Sequence, residues 1–421
     1  MYRHYILFLC CATQLLAYLD RSVFASVLTP IKQEFGLSDT ALGLLSGFAF
    51  ALSYSVFGLP LGRLADRFSR KVLLSTCITL WCGFTLACGL ASSAAMLMAF
   101  RLAVGAAESG ASPAVVSVIA DLYRNSRYRT RAMACYPLAG VLGAGIAFPL
   151  GAYLSAHYGW RMVFLMTSIP GFLFALLVAL TFRAPPRGSD GATPTQQAAP
   201  TPSFAQSLRI VFATRSMFLL CWAVGLSSML SNMMQWLTVF YQRSHGAGLA
   251  SAGASIGLIL TIGGPIGIYA GGWLIDRLGA GNLQRAVQAL ALIALAQVVT
   301  GVLMLLTPGA PLSLVFACGW SMAALAWVGP SFALSQSLVP VEVRGVSIGV
   351  MNVFFNVIGY GLSPFIVGAL GDLLLDRFGV QSLRWSLTSV CVVAGLLSAA
   401  LFYLAGRSAR REAVASPDAL V

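Results

Sequence analysis

Gly62 to Lys71 reads GRLADRFSRK and Gly272 to Gly279 reads GWLIDRLG, so glycine, aspartate and arginine recur in register at Gly62 and Gly272, Asp66 and Asp276, and Arg67 and Arg277. Each copy follows an apolar run of about 20 residues, the length an α-helix needs to cross a hydrocarbon core of about 30 Å. The same short polar motif closing the same kind of apolar run in both halves of the chain is an internal repeat, and it makes the fold a doubled one.

The bulk composition agrees with a membrane setting. Of the 421 residues, 58% are hydrophobic and only 9% charged, and the mean hydropathy is +0.83; a soluble domain carries about 25% charged residues. Twelve apolar runs lie near 5–30, 40–62, 72–92, 94–123, 132–156, 160–182, 214–241, 250–274, 286–307, 311–338, 345–370 and 384–405. They are solidly apolar at about twice the length of an alternating barrel strand, so they read as helices. The first lacks a secretory cleavage signature and reads as a retained span.

The net charge of +13 is mostly a statement about topology. Loops after even-numbered spans, together with the ends of the chain, hold 19 of the 26 basic residues, which by the positive-inside rule places both termini in the cytoplasm. Short basic loops suit anionic headgroups better than nucleic acid, so membrane lipid is the expected partner and nucleic acid is not. The short-looped, arginine-rich chain fits a bacterial inner membrane. The nine cysteines show no C-x-x-C spacing and the three histidines are scattered, so neither a metal nor a cofactor is expected. No P-loop, zinc-helix motif or nucleophile triad is present, which argues against an enzyme.

Ala184 to Leu208 reads APPRGSDGATPTQQAAPTPSFAQSL, a composition that cannot bury a core and reads as a flexible cytoplasmic linker. It divides the chain into an N-terminal six-helix bundle over 1–183, the linker over 184–208, a C-terminal six-helix bundle over 209–406 and a cytoplasmic tail over 407–421. The fold class is therefore an all-α integral membrane protein of twelve transmembrane helices in two pseudo-symmetric bundles.

Two six-helix halves, each with G-x-x-x-D-R after its second helix, resemble the major facilitator superfamily of secondary transporters over the whole chain. Within it, YLDRSVFASVLTPIKQEFGLSDTALGLLSGFAFA (Tyr18 to Ala51), LGRLADR (Leu61 to Arg67), RLAVGAAESGASP (Arg101 to Pro113) and YGWRMVF (Tyr158 to Phe164) are similar to the Spinster-like branch. The Asp-Arg pair in span one and R-x6-E in span four are shared with organic anion:cation symporters. The resemblance implies a conformational latch built from Gly62, Asp66, Arg67 and Arg70 with Arg344 at the start of span eleven, and from Asp276 and Arg277 with Arg131 at the start of span five. An acid docked on a helix N-terminus is favoured by about 0.3–2 kcal/mol, a size suited to a reversible contact. Ser69, and Ala280 with Gly281, depart from the usual basic tail of the motif.

Four charges lie inside spans: Asp20 and Arg21 in span one, Arg101 and Glu108 in span four. At 1.5 Å per residue, Asp20 lies about 22 Å from Tyr5 and Glu108 about the same from Tyr123, so the acids share one level. Arg101 is two turns before Glu108 on the same helix face. Each charge costs about 2.5–3.5 kcal/mol at a helix centre and is rare without an ion or substrate path. We expect Asp20 and Glu108 to couple protons, with Arg21 and Arg101 as charge partners or as the holders of a substrate anion; closed ion pairs that only fix helix packing are the alternative.

The second half has no charge deep in its spans. It offers Asn232, Gln235 and Trp236 in span seven, Trp320 and Trp327 in span ten, and Asn352, Asn356 and Tyr360 in span eleven, which we expect to line a substrate cavity; core packing is the competing role. The G-x-x-x-G runs Gly263, Gly267 and Gly271, Gly43 with Gly47, and Gly345 with Gly349 are expected to let helices of opposite halves approach, and the protein is expected to be a monomer. The expected function is alternating-access, proton-coupled transport. The Spinster-like resemblance implies an amphiphilic lipid-like solute such as a lysophospholipid or sphingoid compound. The other branch implies proton-coupled symport of small organic anions, and an uncoupled facilitator is the remaining alternative.

Overall fold

A computed structural model describes residues 2–123, 128–183, 203–279 and 281–415, apart from the side chains of residues 59, 63, 65–67, 129, 130 and 413–415. Among the described residues there is no strand, and twelve helices are long and apolar enough to cross a membrane. Spans one to six are Tyr2–Ser26, Asp39–Gly58, Arg70–Gly89, Ala94–Leu122, Arg131–Tyr158 and Trp160–Thr181. Spans seven to twelve are Arg215–His245, Leu249–Gly279, Leu283–Leu306, Ala310–Ser337, Val341–Leu373 and Leu375–Glu412. All twelve expected spans are present.

Contacts divide the chain into two compact units: the described part of Met1–Thr195 with Gln235–Gln242 and Gly246–Thr261, and the described part of Gln196–Met234 with Arg243–His245 and Ile262–Val421. The first unit thus takes in the end of span seven and the start of span eight. Residues 184–202 of the expected linker lie outside the described residues. Its last residues are helical, not irregular: Phe204–Ala213 forms a helix behind a capping box in which Ser203 and Gln206 satisfy each other's backbone amides.

Each unit repeats one packing scheme, built where small residues let backbones meet. In the first, span one packs on span five, where Gly140 faces Gln14 and Tyr18, and span three packs on span six, where Gly89 leaves no room for a Cβ against the Arg161 carbonyl. Span two packs on span four at Gly105, whose missing Cβ would stand 2.5 Å from the Phe50 carbonyl oxygen. In the second, span seven packs on span eleven through Gly225 against Ile358, and span nine on span twelve through Gly406 against Gln284 and Gln288. Span eight meets span ten through Gly263, Gly267 and Gly271, against Ser321, Met322 and Ala326. That double G-x-x-x-G therefore serves packing within one unit, contrary to the expectation from sequence, and Gly345 and Gly349 face open space.

Several spans are broken near mid-length. Span four runs as Ala94–Glu108 and Ala111–Leu122, span ten as Ala310–Ala326 and Val328–Ser337, and span eleven widens to π-helix over Phe355–Leu362. A proline follows each break: Pro113, Pro330 and Pro364 supply no amide to the carbonyls of Ser109, Ala326 and Tyr360 four residues earlier. Span seven breaks into a 3-10 turn at Met233–Trp236 without a proline. There Ser231 and Asn232 donate to the carbonyls of Ser227 and Ser228 at 3.0 and 2.9 Å, competing with the helix ladder just before the turn. Span two opens on a π-turn at Leu44–Phe48.

Candidate functional site

The four intramembrane charges lie in the first unit and form one cluster. Arg21 donates to Glu108 Oε1 from both Nε, at 2.8 Å, and Nη2, at 2.5 Å. Its guanidinium also faces the rings of Tyr18, Phe50 and Tyr54, with Cζ at 5.2, 4.6 and 4.7 Å from their centroids. Arg101 donates from Nη2 to the carbonyl of Ser46 at 3.4 Å, on the π-turn of span two. Its Cζ lies 4.4 Å from the centroid of Phe24 and 5.3 Å from that of Phe50, so the two guanidiniums share the Phe50 ring as a neighbour. Cation–π contacts of this kind contribute about 0.5–2 kcal/mol when desolvated.

Asp20 is held differently. Its Oδ1 accepts from the Thr85 hydroxyl at 2.6 Å, and it makes no direct ion pair among the described residues. All four side chains are buried, from 1% exposed at Arg101 to 7% at Asp20 and Arg21. Three of their polar atoms, Asp20 Oδ2, Glu108 Oε2 and Arg101 Nε, are buried with no hydrogen-bond partner among the described residues. Such atoms are costly in a dry interior and call for an explanation, commonly a proton, a water or a ligand.

Local structure explains how these groups meet. The turn at Val27 lets the chain of span one continue as the helix Leu28–Phe35, which puts Asp20 near the middle of the combined element instead of at its end. Glu108 closes the first segment of span four, immediately before the break at Ser109 and Gly110. The close approach at Gly105 then brings Phe50 of span two over both arginines. Spacing predicts a common level for Asp20 and Glu108 but does not decide which arginine takes which acid; in the structure Arg21 binds Glu108. Nothing in the sequence pattern marks Thr85, Ser46 or the rings of Phe50 and Tyr54, and Tyr18 is flagged only by its three-residue spacing to Arg21.

The uncharged candidates are more dispersed. Trp320 and Trp327 are core side chains: Trp320 lies against the backbone of Gly301, and Trp327 donates to the Ser231 hydroxyl at 3.4 Å and packs on Phe355. Asn232 bonds back to Ser228. Gln235 and Trp236 are buried in the 3-10 turn of span seven, with Gln235 Nε2 unpartnered among the described residues. Asn352 and Asn356 donate to the carbonyls of Ile348 and Asn352, and Tyr360 lies on the π-helical stretch. Gln297, an amide deep in span nine that the sequence pattern does not mark, is fully buried and donates to Ser231 at 3.3 Å.

The side chains of Asp66 and Arg67 lie outside those described. Arg70 pairs with Asp121 at 2.5 Å, joining the start of span three to the end of span four. Gly62 touches Pro113, and Arg131 lies 5.8 Å from the ring centroid of Tyr128. In the second unit Asp276 is exposed, Arg277 lies over the ring of Trp273, Gly272 has open space where a side chain would stand, and Arg344 donates to the Gln336 carbonyl at 2.8 Å.

The model of the Major Facilitator Superfamily matches residues 10–364. The chain is 27% identical to an MFS-type efflux pump of Mycolicibacterium smegmatis, over 95% of this chain and 91% of the pump. It is 24% identical to the sphingosine-1-phosphate transporter SPNS2 of Danio rerio, over 93% and 83% of the two chains. A solved bacterial homologue of the human lysosomal transporter Spinster, inward-facing and unoccupied, superimposes with a TM-score of 0.85 at 25% identity, covering 98% of each chain.

Proposed function

This chain belongs to the Major Facilitator Superfamily and is a multi-pass membrane transporter of the Spinster type, and from that premise we propose that it couples protons to the movement of an amphiphilic, lipid-like solute such as a lysophospholipid or sphingoid compound. The observation that carries the reading is the pair of carboxyl oxygens, Asp20 Oδ2 and Glu108 Oε2, buried beside two guanidiniums without a hydrogen-bond partner among the described residues. A carboxyl group that is wetted or dried, or moved relative to a guanidinium, changes its proton affinity. Alternating access does both to a mid-membrane acid.

The pairing suggests how substrate and proton are linked. Arg21 is engaged by Glu108, so an anionic headgroup that takes Arg21 displaces the carboxylate. A proton on Glu108 removes its claim on the guanidinium and makes room for the anion. Each ligand then favours the other's binding, and the coupling is reciprocal by linkage. Asp20, fixed by Thr85 and without an ion pair of its own among the described residues, is the second proton carrier. The activity named for SPNS2 supports a phosphorylated or zwitterionic lipid as the solute class. In this reading both termini lie on the cytoplasmic side of a bacterial inner membrane, and the working form is a monomer.

The test is flux in proteoliposomes. Uptake of a labelled lysophospholipid should rise with an imposed pH gradient in the wild type, and Glu108→Gln should keep substrate binding while losing the dependence on the gradient. Unchanged pH-driven flux in that variant would remove Glu108 from the scheme. Uptake confined to small carboxylates would transfer the scheme to organic anions.

A further inference from the structure

We propose that the groove between spans nine and twelve holds an acyl chain of an anionic glycerophospholipid from the surrounding membrane, with the lipid phosphate on Arg285 and Arg407. Glycines of span twelve mark two close approaches to span nine along this trough. Near the basic end, Gly406 meets Gln284 and Gln288 so tightly that a Cβ would stand 2.6 Å from Gln288 Cγ; further in, Gly395 lies against Val298. Between these contacts Ala289, Ala399 and Ala400 form a low floor and Leu292, Leu295 and Leu396 form walls, leaving a groove of about 600 Å³.

Its length and chemistry match one lipid leaflet. From Arg285 to Leu295 a helix rises about 15 Å, half of a hydrocarbon core of about 30 Å. The apolar lining therefore ends where headgroups begin. Tyr403 lines that end, half-exposed, with its hydroxyl available to the interface. Arg285 lies on the lining itself, and on span twelve Arg407 and Arg410 continue the face of Leu396, Ala400 and Tyr403 at helical spacing, all exposed. Of the acids at this end, Glu412 is engaged by the amide and hydroxyl of Ser216. Asp276 is outnumbered by Arg277, Arg285, Arg407, Arg410 and Arg411. The occupant is thus a negative headgroup on an acyl chain. The lining residues belong wholly to the second unit and the buried charge cluster to the first, and the site's existence is independent of the transport mechanism.

Delipidated protein in detergent should be titrated with phosphatidylglycerol or phosphatidylcholine of identical chains while thermal unfolding is followed. Phosphatidylglycerol should raise Tm at lower concentrations than phosphatidylcholine. Each arginine near the headgroup contributes about fivefold in apparent affinity, so Arg285→Gln with Arg407→Gln should cut the preference about 25-fold. Ala400→Trp, which fills the groove at an exposed position, should abolish the stabilisation by both lipids and leave Tm in detergent alone unchanged. If the tryptophan variant does not fold, native mass spectrometry of the arginine variant provides the second measurement, with one fewer phosphatidylglycerol retained per chain. Equal titration of the two lipids, the same shift from glycerol phosphate without chains, or full retention of the preference in the variants would overturn the assignment.

Discussion

Removing Arg21 should cost more stability than removing the acid it binds, and removing both should cost less than either. Both donor atoms of Arg21 reach one oxygen of Glu108, at 2.5 and 2.8 Å, inside a shell that excludes nearly all solvent. Arg21→Met leaves an uncompensated buried carboxylate, for which loss of a partner costs about 3–5 kcal/mol. Glu108→Met leaves the guanidinium facing Tyr18, Phe50 and Tyr54, and those contacts retain about 0.5–2 kcal/mol. Its cost should therefore be about 2–3 kcal/mol. The double variant replaces a buried pair by apolar chains of similar reach and should melt within about 1 kcal/mol of the wild type. In folds of about 150–250 residues each kcal/mol moves Tm by about 2–4 °C, so Arg21→Met should melt roughly 6–20 °C low. Thermal unfolding of the four proteins in one detergent closes the cycle. A double variant as unstable as the sum of the singles, within about 0.5 kcal/mol, would refute a closed buried pair.

Three further outcomes follow from single contacts. Gly105→Ala would push a Cβ to within 2.5 Å of the Phe50 carbonyl and should destabilise by about 1–3 kcal/mol through overpacking, read as a lowered Tm with a smaller loss for the same change at the open Gly349. Thr85→Val deletes the donor to Asp20 Oδ1 and should cost about 1.5–3 kcal/mol, falling below about 1 kcal/mol when Asp20 is already Asn; equal costs in both backgrounds would show that the hydroxyl does not serve the carboxylate. On the loop side, hydrogen bonds from Arg161 and Trp160 hold the Glu34 carboxyl below its ordinary value of 4.5. A lowered folded pKa means stability that is present above the ordinary carboxylate range and lost as pH falls through the depressed value. The pair is 36% and 42% exposed, so the effect is at most about 1 kcal/mol: wild type should out-melt Glu34→Gln by a small constant margin above pH 4.5, and the margin should close below it.

The spans, their number and the repeat are legible in the sequence because each depends on local facts: apolar length for the helix, and a polar motif at a fixed offset from it. The gathering of the four charges into one cluster is foreshadowed for the same reason, since rise per residue is nearly constant along helices of opposite direction. What spacing cannot convey is rotation about the helix axis. Whether Arg21 or Arg101 reaches Glu108 depends on how span one turns against span four, and spacing along either helix carries no information about that turn. The glycines of span eight show the same limit, because a G-x-x-x-G face marks close approach but not the partner. Trp320 and Trp327 look like recognition groups at heptad spacing and are core residues, since only the fold reveals that Gly301 and Ser231 await them.

The helix breaks tie these observations to movement. Glu108, Trp236, Trp327 and Tyr360 each lie at or beside a point where an otherwise continuous span loses its regular ladder. Three of the breaks are built in by prolines that follow within about one turn, and the fourth by serine and asparagine side chains that compete for carbonyls. An interrupted helix bends there at lower cost than elsewhere, because the hydrogen bonds a bend would sacrifice are already absent. A charge at such a point changes its surroundings when the segments on either side reorient, while the flanking segments stay packed on their glycine faces. In span four the consequence is specific. Glu108 belongs to the segment fixed by Gly105 on span two, whereas Pro113 and the residues after it belong to the other, so bending at Ser109 and Gly110 alters what lies beside Glu108 without unpicking the Gly105 contact. Restoring the ladder with Pro113→Ala should therefore raise Tm and depress gradient-driven flux; a variant whose flux matched wild type would show that span four moves as one rigid rod.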